Sequence, residues 1–512
     1  MIGVKLTQPL RRNAELFPDR IATVVGEART TWGSTLDRVA RLAAAFRNLG
    51  VGPADRMAIL SLNSDRYIQT LYAILWAGCV AVPLNTRWSP RELEAAIEDC
   101  APSLLLFDDS FAAVANGLKM TGVGLVAMGS GCEPAMSLEA LIASSEPGED
   151  ASGGGNDLAV IFYTGGTTGQ SKGVMLSHAN LFDNFMVQHA LIRYELGGTF
   201  LHVAPMFHLA DACCIFGMTM LGATHAILPA FDAKTALQII EEEAVTATLA
   251  VPTMIEMLVG ESERSGRPIG QIRNITYGAS PISEASLLRA LAALPNARFA
   301  QAYGQTECSP VVTILEHEDH RAGFLRSAGR PIPGVDLRVV DDEYQDVPRG
   351  TVGQVLVSGP NVMLGYWRQP ELSRSTVVDG WLRTGDAGYR DDHGFLYLVD
   401  RVKDMIISGG ENIYSAEVEN ALMSHPAVLQ CAVIGVPDPK WGEAVHAYVQ
   451  LRNDAATTVD DLHVHGQSLI ANYKCPKSFT LLSEPLPMSG VGKVLKGELR
   501  RRWAEQMGNG AA

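Results

Sequence analysis

Tyr163-Thr164-Gly165-Gly166-Thr167-Thr168-Gly169-Gln170-Ser171-Lys172-Gly173 packs glycines, hydroxyls and one lysine into a short loop. The apolar run Leu158 to Phe162 ahead of it reads as a buried strand. Glycines let a backbone come close to a ligand. Successive backbone N–H groups, hydroxyls and an ammonium then suit a polyphosphate. Thr164, Gly165, Gly166, Thr167, Thr168, Gly169 and Lys172 are therefore the candidate cradle of a nucleoside triphosphate. Two other readings compete. Gly153 to Gly155 upstream reads as a plain linker, but the Thr164 loop is fed by a strand and closed by a lysine. The P-loop of motor ATPases and GTPases needs Ser or Thr directly after its lysine. Gly173 stands there, so the magnesium-binding hydroxyl of that fold is missing.

At 512 residues the chain exceeds what one hydrophobic core supports, so two or more domains are expected. An apolar share of 47% with 19% charged residues describes an ordinary globular protein. The formal net charge of −15 argues against general binding of nucleic acid or anionic membrane. ATP would have to be met by local basic groups and N–H donors. The cysteines form no Cys-x-x-Cys pair and no metal spacing, so a reducing compartment, the cytoplasm, is expected. Arg11, Arg12, Asn13 and Glu15 interrupt any signal-peptide pattern. The most apolar stretch, Ala212 to Phe231, has the length of a membrane span. It contains Gly217, Gly222, His225 and Pro229, and is read as a buried helix, a turn and a strand, with no transmembrane segment expected.

Residues 1 to about 150 alternate helical and strand patterns: Leu36 to Leu49 helical, Arg56 to Leu60 strand, Ser64 to Trp76 helical, Val80 to Pro83 strand, Pro90 to Ile97 helical, Ser103 to Phe107 strand. The alternation resumes with strands at Phe200 to Ala204, Thr224 to Leu228, Thr248 to Val251 and Asn274 to Tyr277. This predicts an α/β fold with parallel sheet covered by helices. Beyond about residue 325 prolines and glycines punctuate short β-rich runs, which predicts a smaller β-barrel-like part. From Lys403 onward the pattern is that of a compact α+β domain. The expected division is 1–402 and 403–512.

Further segments carry chemistry. Ala302-Tyr303-Gly304-Gln305-Thr306-Glu307 supplies a ring, a hydroxyl and a carboxylate. Trp381-Leu382-Arg383-Thr384-Gly385-Asp386 puts an aspartate after a tight turn. Asp400-Arg401-Val402-Lys403-Asp404 is followed by Ile407-Ser408-Gly409-Gly410-Glu411-Asn412. Met488-Ser489-Gly490-Val491-Gly492-Lys493 ends in a lysine on a glycine hinge. Each alone has a dull explanation: a core tyrosine, a solvated carboxylate, a turn former, an exposed lysine. Taken in order, with Pro205-Met206-Phe207-His208, Gly278-Ala279-Ser280 and Val362-Met363-Leu364-Gly365-Tyr366-Trp367, they resemble the adenylate-forming superfamily across nearly the whole chain. The branch they resemble is that of the acyl-CoA synthetases.

The resemblance implies two steps on one site. A carboxylate attacks the α-phosphorus of ATP, giving an acyl-adenylate and pyrophosphate; the thiol of CoA then takes the acyl group and AMP leaves. Such chemistry is mostly positioning and charge stabilisation. By this resemblance the loop Thr164 to Gly169 holds the β- and γ-phosphates with Lys172 nearby. Glu307, with Thr164, binds Mg²⁺, a hard cation suited to oxygen ligands. Tyr303 and Gly304 meet the adenine, Gly278, Ala279 and Ser280 line its other side, and Thr306 contacts the α-phosphate. Asp386 and Arg401 meet the ribose. Lys493 reaches the α-phosphate and the acid during adenylation. Lys403 is the hinge of a mobile C-terminal domain whose rotation withdraws Lys493 and brings in Ser408, Gly409, Gly410 and Glu411 beside CoA. His208 borders the acyl pocket. The resemblance leaves room for a homodimer.

The chain departs from the family pattern at Gly166, Ser171, Asp400 and Met488 to Val491, none of which removes a key lysine. Asp211 is unexpected beside an acyl pocket: it either turns away into a hydrogen-bonded setting or polarises one end of the site. An enzyme loading an amino acid on a carrier protein would place an aspartate where Leu209 stands; Phe231-Asp232-Ala233-Lys234 mimics that motif but comes too late. A luciferase-like oxygenase keeps the same ligase residues. No Arg or Lys occurs between Phe200 and Ala233. This favours an apolar monocarboxylate, such as a fatty, aryl-alkanoic or short thioether acid like 3-methylthiopropionate, over a dicarboxylate.

Overall fold

The computed structural model describes residues 3–129, 135–164, 171–280, 282–321, 323–401, 404–409, 411–452, 455, 457–488 and 494–509. The chain forms two compact units: residues 1–336 with 357–382, and residues 337–356 with 383–512.

The first unit holds two sheets. Short apolar runs bounded by turns form the strands of the first: Arg56–Leu60, Val80–Pro83 and Leu104–Phe107 are almost wholly buried. Runs this apolar suit a parallel sheet covered on both faces. The eight-stranded order is Gly365–Tyr366, Lys172–Ser177, Leu158–Thr164, Val80–Pro83, Arg56–Leu60, Leu104–Phe107, Gly124–Ala127, Met136–Ser137. It is parallel from Leu158–Thr164 onward and antiparallel at its other edge. Helices start where capping residues supply acceptors for the unpaired first N–H groups. Ser64 caps Asp65–Trp76, and Ser89 with Glu92 forms a capping box on Pro90–Cys100.

The second sheet has nine strands, in the order Arg330–Pro331, Val311–Leu315, Arg298–Gly304, Asn274–Gly278, Ala247–Ala250, Thr199–His202, Thr224–Ile227, Ile21–Val25, Ala28–Thr31. Its centre is parallel, and a core of Leu201, Ile240, Ile255, Ile275, Tyr277 and Phe299 packs one face. The single β/α alternation read from the sequence is thus two sheets, and Ile21–Val25 joins the second by pairing with Thr224–Ile227. The apolar stretch after residue 208 is the helix Leu209–Met220 and that Thr224–Ile227 strand. Among the described residues no helix is long and apolar enough to cross a membrane.

In the second unit the strands Trp381–Arg390 and Leu396–Arg401 pair antiparallel within a five-stranded sheet. Among the described residues its strand order is an open path rather than a closed barrel. The C-terminal residues build another sheet, Glu411–Ile413, Ile406–Ser408, Gly442–Leu451, Val428–Asp438, with Ser478–Leu482 parallel to Gly442–Leu451. Helices Ser415–Met423, Val459–Leu469 and Lys496–Asn509 accompany it. Residues 383–401 group with the C-terminal elements in the second compact unit. A physical reason is visible at Asp400, whose carboxylate accepts from the backbone N–H and hydroxyl of Ser415. Lys403 itself lies outside the described residues.

Candidate active site

The opening stretch is a hairpin. Leu158–Thr164 runs antiparallel to Lys172–Ser177, and Thr164 stands directly across from Lys172. Gly165 to Gln170 lie outside the described residues, but both ends of the loop are fixed. A strand-loop-strand hairpin differs from the strand-loop-helix of a P-loop, as the missing hydroxyl after Lys172 predicted. Tyr163 donates to the Asp99 carboxylate, holding the strand end from behind.

The residues after Pro360 tie this hairpin to the segment carrying Glu307. Gly365–Tyr366 pairs with Val174 and Met175, and the Trp367 N–H donates to the Gly173 carbonyl at 2.7 Å. The Met363 N–H donates to the Glu307 carbonyl at 2.9 Å. Asn361 donates from Nδ2 to the carbonyls of Cys308 and Val311, and the Ser309 hydroxyl donates to the Asn361 carbonyl. Asn180 donates to the carbonyls of Pro360 and Val362. The short turn Thr306–Cys308 is thereby held from several sides. The sequence reading missed Asn180 and Asn361: polar residues buried to satisfy loop carbonyls leave no spacing pattern.

Tyr303 and Gly304 end the strand Arg298–Gly304, beside Asn274–Gly278 with Gly278 paired to Ala302. Glycine is required at two of these places. A Cβ at Gly278 would lie 2.2 Å from the Ala302 carbonyl oxygen, and one at Gly304 would lie 1.9 Å from that of Pro310. Gly278, Ala279, Ser280, Tyr303, Gly304, Thr306 and Glu307 therefore sit on the ends of adjacent strands and the turn that follows. Behind them Tyr277 donates to His320 Nε2 at 2.9 Å while His320 Nδ1 donates to the Glu316 carbonyl. A carbonyl only accepts, so the proton sits on Nδ1. Burial pushes the His320 ring down to about 4, keeping it neutral.

His208 is the N-cap of Leu209–Met220, its Nδ1 accepting from the Ala210 N–H. The loop before it is clamped by Asn63, which donates to the Ala204 carbonyl and accepts from the Met206 N–H, both at 2.8 Å. Tyr67 donates to the Met206 carbonyl. Asp211, in the first helical turn, is fully buried and bonds His202 Nδ1 at 2.8 Å; it takes the hydrogen-bonded setting of the two expected for it. Asp232 caps the helix Ala233–Glu242, accepting from Thr235, so its motif-like position has a local structural use.

In the second unit Asp386 and Arg401 face each other across the ladder, Arg401 Nε to Asp386 Oδ1 at 3.3 Å. Asp386 is buried at its backbone turn, where its N–H donates to the Thr384 hydroxyl. Ser408 and Glu411 pair across the hairpin Ile406–Ser408 and Glu411–Ile413, with the Gly409 N–H donating to the Trp441 carbonyl. Gly410 and Lys493 lie outside the described residues.

Strand ends carrying a glycine-rich hairpin, a carboxylate turn and a paired Asp and Arg have the make-up of a nucleotide-dependent enzyme. The family described as AMP-binding enzyme matches residues 10–367, and the AMP-binding enzyme C-terminal domain matches residues 417–493. The chain belongs to this family as an AMP-forming acyl-CoA synthetase of the adenylate-forming superfamily. It is 39% identical to a feruloyl-CoA synthase of Amycolatopsis sp, over 97% of this chain and 98% of that one. It is 35% identical to an indoleacetate–CoA ligase of Aromatoleum aromaticum, over 97% and 98%. The structure of o-succinylbenzoate CoA synthetase from Bacillus subtilis, in complex with its acyl-adenylate intermediate, superposes with a TM-score of 0.85. That enzyme is 30% identical, with 96% of this chain and 97% of that chain covered.

Proposed function

We propose that the chain joins an apolar monocarboxylic acid to CoA at the expense of ATP, through an acyl-adenylate. The observation that supports this most directly is the triphosphate hairpin, with Thr164 across from Lys172, tied through residues 363–367 to the Thr306–Glu307 turn. Thr164 to Gly169 and Lys172 bind the β- and γ-phosphates, Thr306 the α-phosphate, and Tyr303 with Gly278 to Ser280 the adenine. Asp386 accepts from the ribose and Arg401 adds a cation beside it. Lys493 steadies the charge that develops as the carboxylate attacks phosphorus. Rotation about Lys403 then exchanges Lys493 for the Ser408 to Asn412 hairpin, so CoA attacks in the space Lys493 leaves.

Among the described residues no cluster of three or more His, Cys, Asp or Glu could hold a metal ion. A lone carboxylate, Glu307, is nonetheless what Mg²⁺ needs when it arrives on a triphosphate, since phosphates supply the remaining oxygens. Bound there with ATP it would neutralise charge on the triphosphate.

The acid is proposed from the lining. Residues 200–233 carry no Lys or Arg, the helix Leu209–Met220 is buried along most of its length, and Asp211 is committed to His202. A second carboxylate on the substrate would find no cation there. Within the apolar acids an aryl-substituted one is favoured, as two of the named relatives are by name enzymes of feruloyl and indoleacetate groups. The test gives the protein ATP, Mg²⁺, CoA and a panel of aryl, fatty and thioether acids, 3-methylthiopropionate among them, and measures AMP and acyl-CoA. Aryl acids are expected to give the highest kcat/KM. Adenylates that form without any acylation of CoA would overturn the CoA assignment in favour of a carrier protein. Lys493→Ala is expected to stop adenylate formation while still converting supplied acyl-adenylate to thioester.

A further inference from the structure

Tyr366 touches two side chains of the candidate triphosphate site and has so far been given no role. Its hydroxyl donates to Glu307 Oε1 at 2.9 Å. The face of its ring lies 5.5 Å from Lys172 Nζ, within the range of a cation–π contact. The bond has one direction: the phenol O–H donates and the carboxylate oxygen accepts.

The backbone leaves this ring little freedom. The Leu364 N–H donates to the Met175 carbonyl and the Trp367 N–H to that of Gly173, which clamps residue 366 beside the strand that Lys172 begins. The Tyr366 N–H donates to the Ser373 hydroxyl at 2.8 Å. Met363, three residues earlier, holds the Glu307 carbonyl. One short segment therefore sets the cationic end and the carboxylate end of the site relative to each other. A hydrogen bond to one carboxylate oxygen fixes the plane of the group, which matters most for a ligand that demands near-octahedral geometry.

We propose that Tyr366 is a positioning residue for magnesium-bound ATP: its hydroxyl aims the Glu307 carboxylate at the metal and its ring steers the Lys172 ammonium to the phosphates. This rests on the roles proposed above for Glu307 and Lys172. The two parts of the side chain act on different ligands, so they separate by substitution. Tyr366→Phe keeps the ring and removes the hydroxyl; Tyr366→Leu removes both.

The test is calorimetric titration of ATP, with and without Mg²⁺, in the absence of acid and CoA, together with thermal unfolding. Tyr366→Phe is expected to weaken magnesium-bound ATP about tenfold, the scale of lost carboxylate support at a metal, and to leave metal-free ATP unchanged. Tyr366→Leu is expected to weaken both forms. Adding Tyr366→Phe to Glu307→Gln should cause no further loss. If Glu307→Gln weakens magnesium-bound ATP but Tyr366→Phe stays within twofold of the wild type, the proposal fails while the site stands. Equal loss of both ATP forms in Tyr366→Phe, alongside a lower melting temperature, makes the tyrosine merely structural. A Glu307→Gln variant with unchanged magnesium dependence overturns the reading of Glu307 and the proposal with it.

Discussion

Asp211 shows how a single buried carboxyl group is accommodated. Its Oδ2 bonds His202 Nδ1, His202 Nε2 bonds His225 Nδ1 at 2.9 Å, and His225 Nε2 meets the Thr219 hydroxyl at 3.1 Å. All of these side chains are fully buried. The Thr219 hydroxyl has one proton, and the Ile215 carbonyl 2.8 Å away accepts it. His225 then donates from Nε2 and accepts at Nδ1 from His202 Nε2, and His202 Nδ1 closes the chain of bonds on Asp211. The ring of His225 is pushed well down, first by burial and then by the charge of His202, in keeping with that order. Asp211→Asn offers His202 an amide in place of a carboxyl group. It is expected to cost about 2 kcal/mol, the scale of a damaged buried hydrogen bond, read from urea unfolding; an unchanged midpoint would mean the chain of bonds is dispensable. Nothing near Asp211 in sequence announces this, because His202 and His225 lie on neighbouring strands of the second sheet.

At the scale of elements, the departure at Asp400 has a purpose. The helix Ser415–Met423 begins at Tyr414, whose side chain supplies no cap. Asp400, at the end of the strand Leu396–Arg401, supplies it from a distance, its Oδ2 accepting from the Ser415 N–H and from the Ser415 hydroxyl at 2.6 Å. A carboxylate at a helix N-terminus satisfies an unpaired donor and the helix dipole together. Lys496 adds to the cluster, donating to the Ser415 hydroxyl and pairing with Glu419 at 2.8 Å. Asp400→Gly is expected to cost about 1 kcal/mol, the usual worth of a lost cap, and to raise amide exchange over residues 415–418 without changing the helices of the first unit. Equal exchange in both proteins would remove Asp400 from the role. The cap leaves no signal in the local sequence because the capping residue lies fifteen positions upstream.

At the scale of the whole molecule, buried histidines set how the fold meets acid. Burial lowers His178, His320 and His446 to about 4, with hydroxyls, an N–H and a carbonyl as partners. The ordinary value is about 6.5, so the unfolded chain takes up these protons first. Their stabilisation is complete above about pH 6.5 and is lost as pH falls towards 4. The melting temperature is expected to hold above that point and to fall steadily below it; a curve flat to about pH 4.5 would lay acid unfolding on carboxylates alone. The sequence by itself determined the family, the strands such as Arg56–Leu60 and Val80–Pro83, and the order of the segments proposed above for phosphate, adenine and ribose, because hydrophobic periodicity and loop chemistry are local. Only the tertiary structure decided which strands share a sheet, with Ile21–Val25 crossing to Thr224–Ile227 two hundred residues on. It alone set Tyr366 between Glu307 and Lys172, and Asp211 against His202. Pairing between distant segments is chosen by how apolar faces and buried polar atoms are jointly satisfied once the chain is compact, and no window of sequence contains that information.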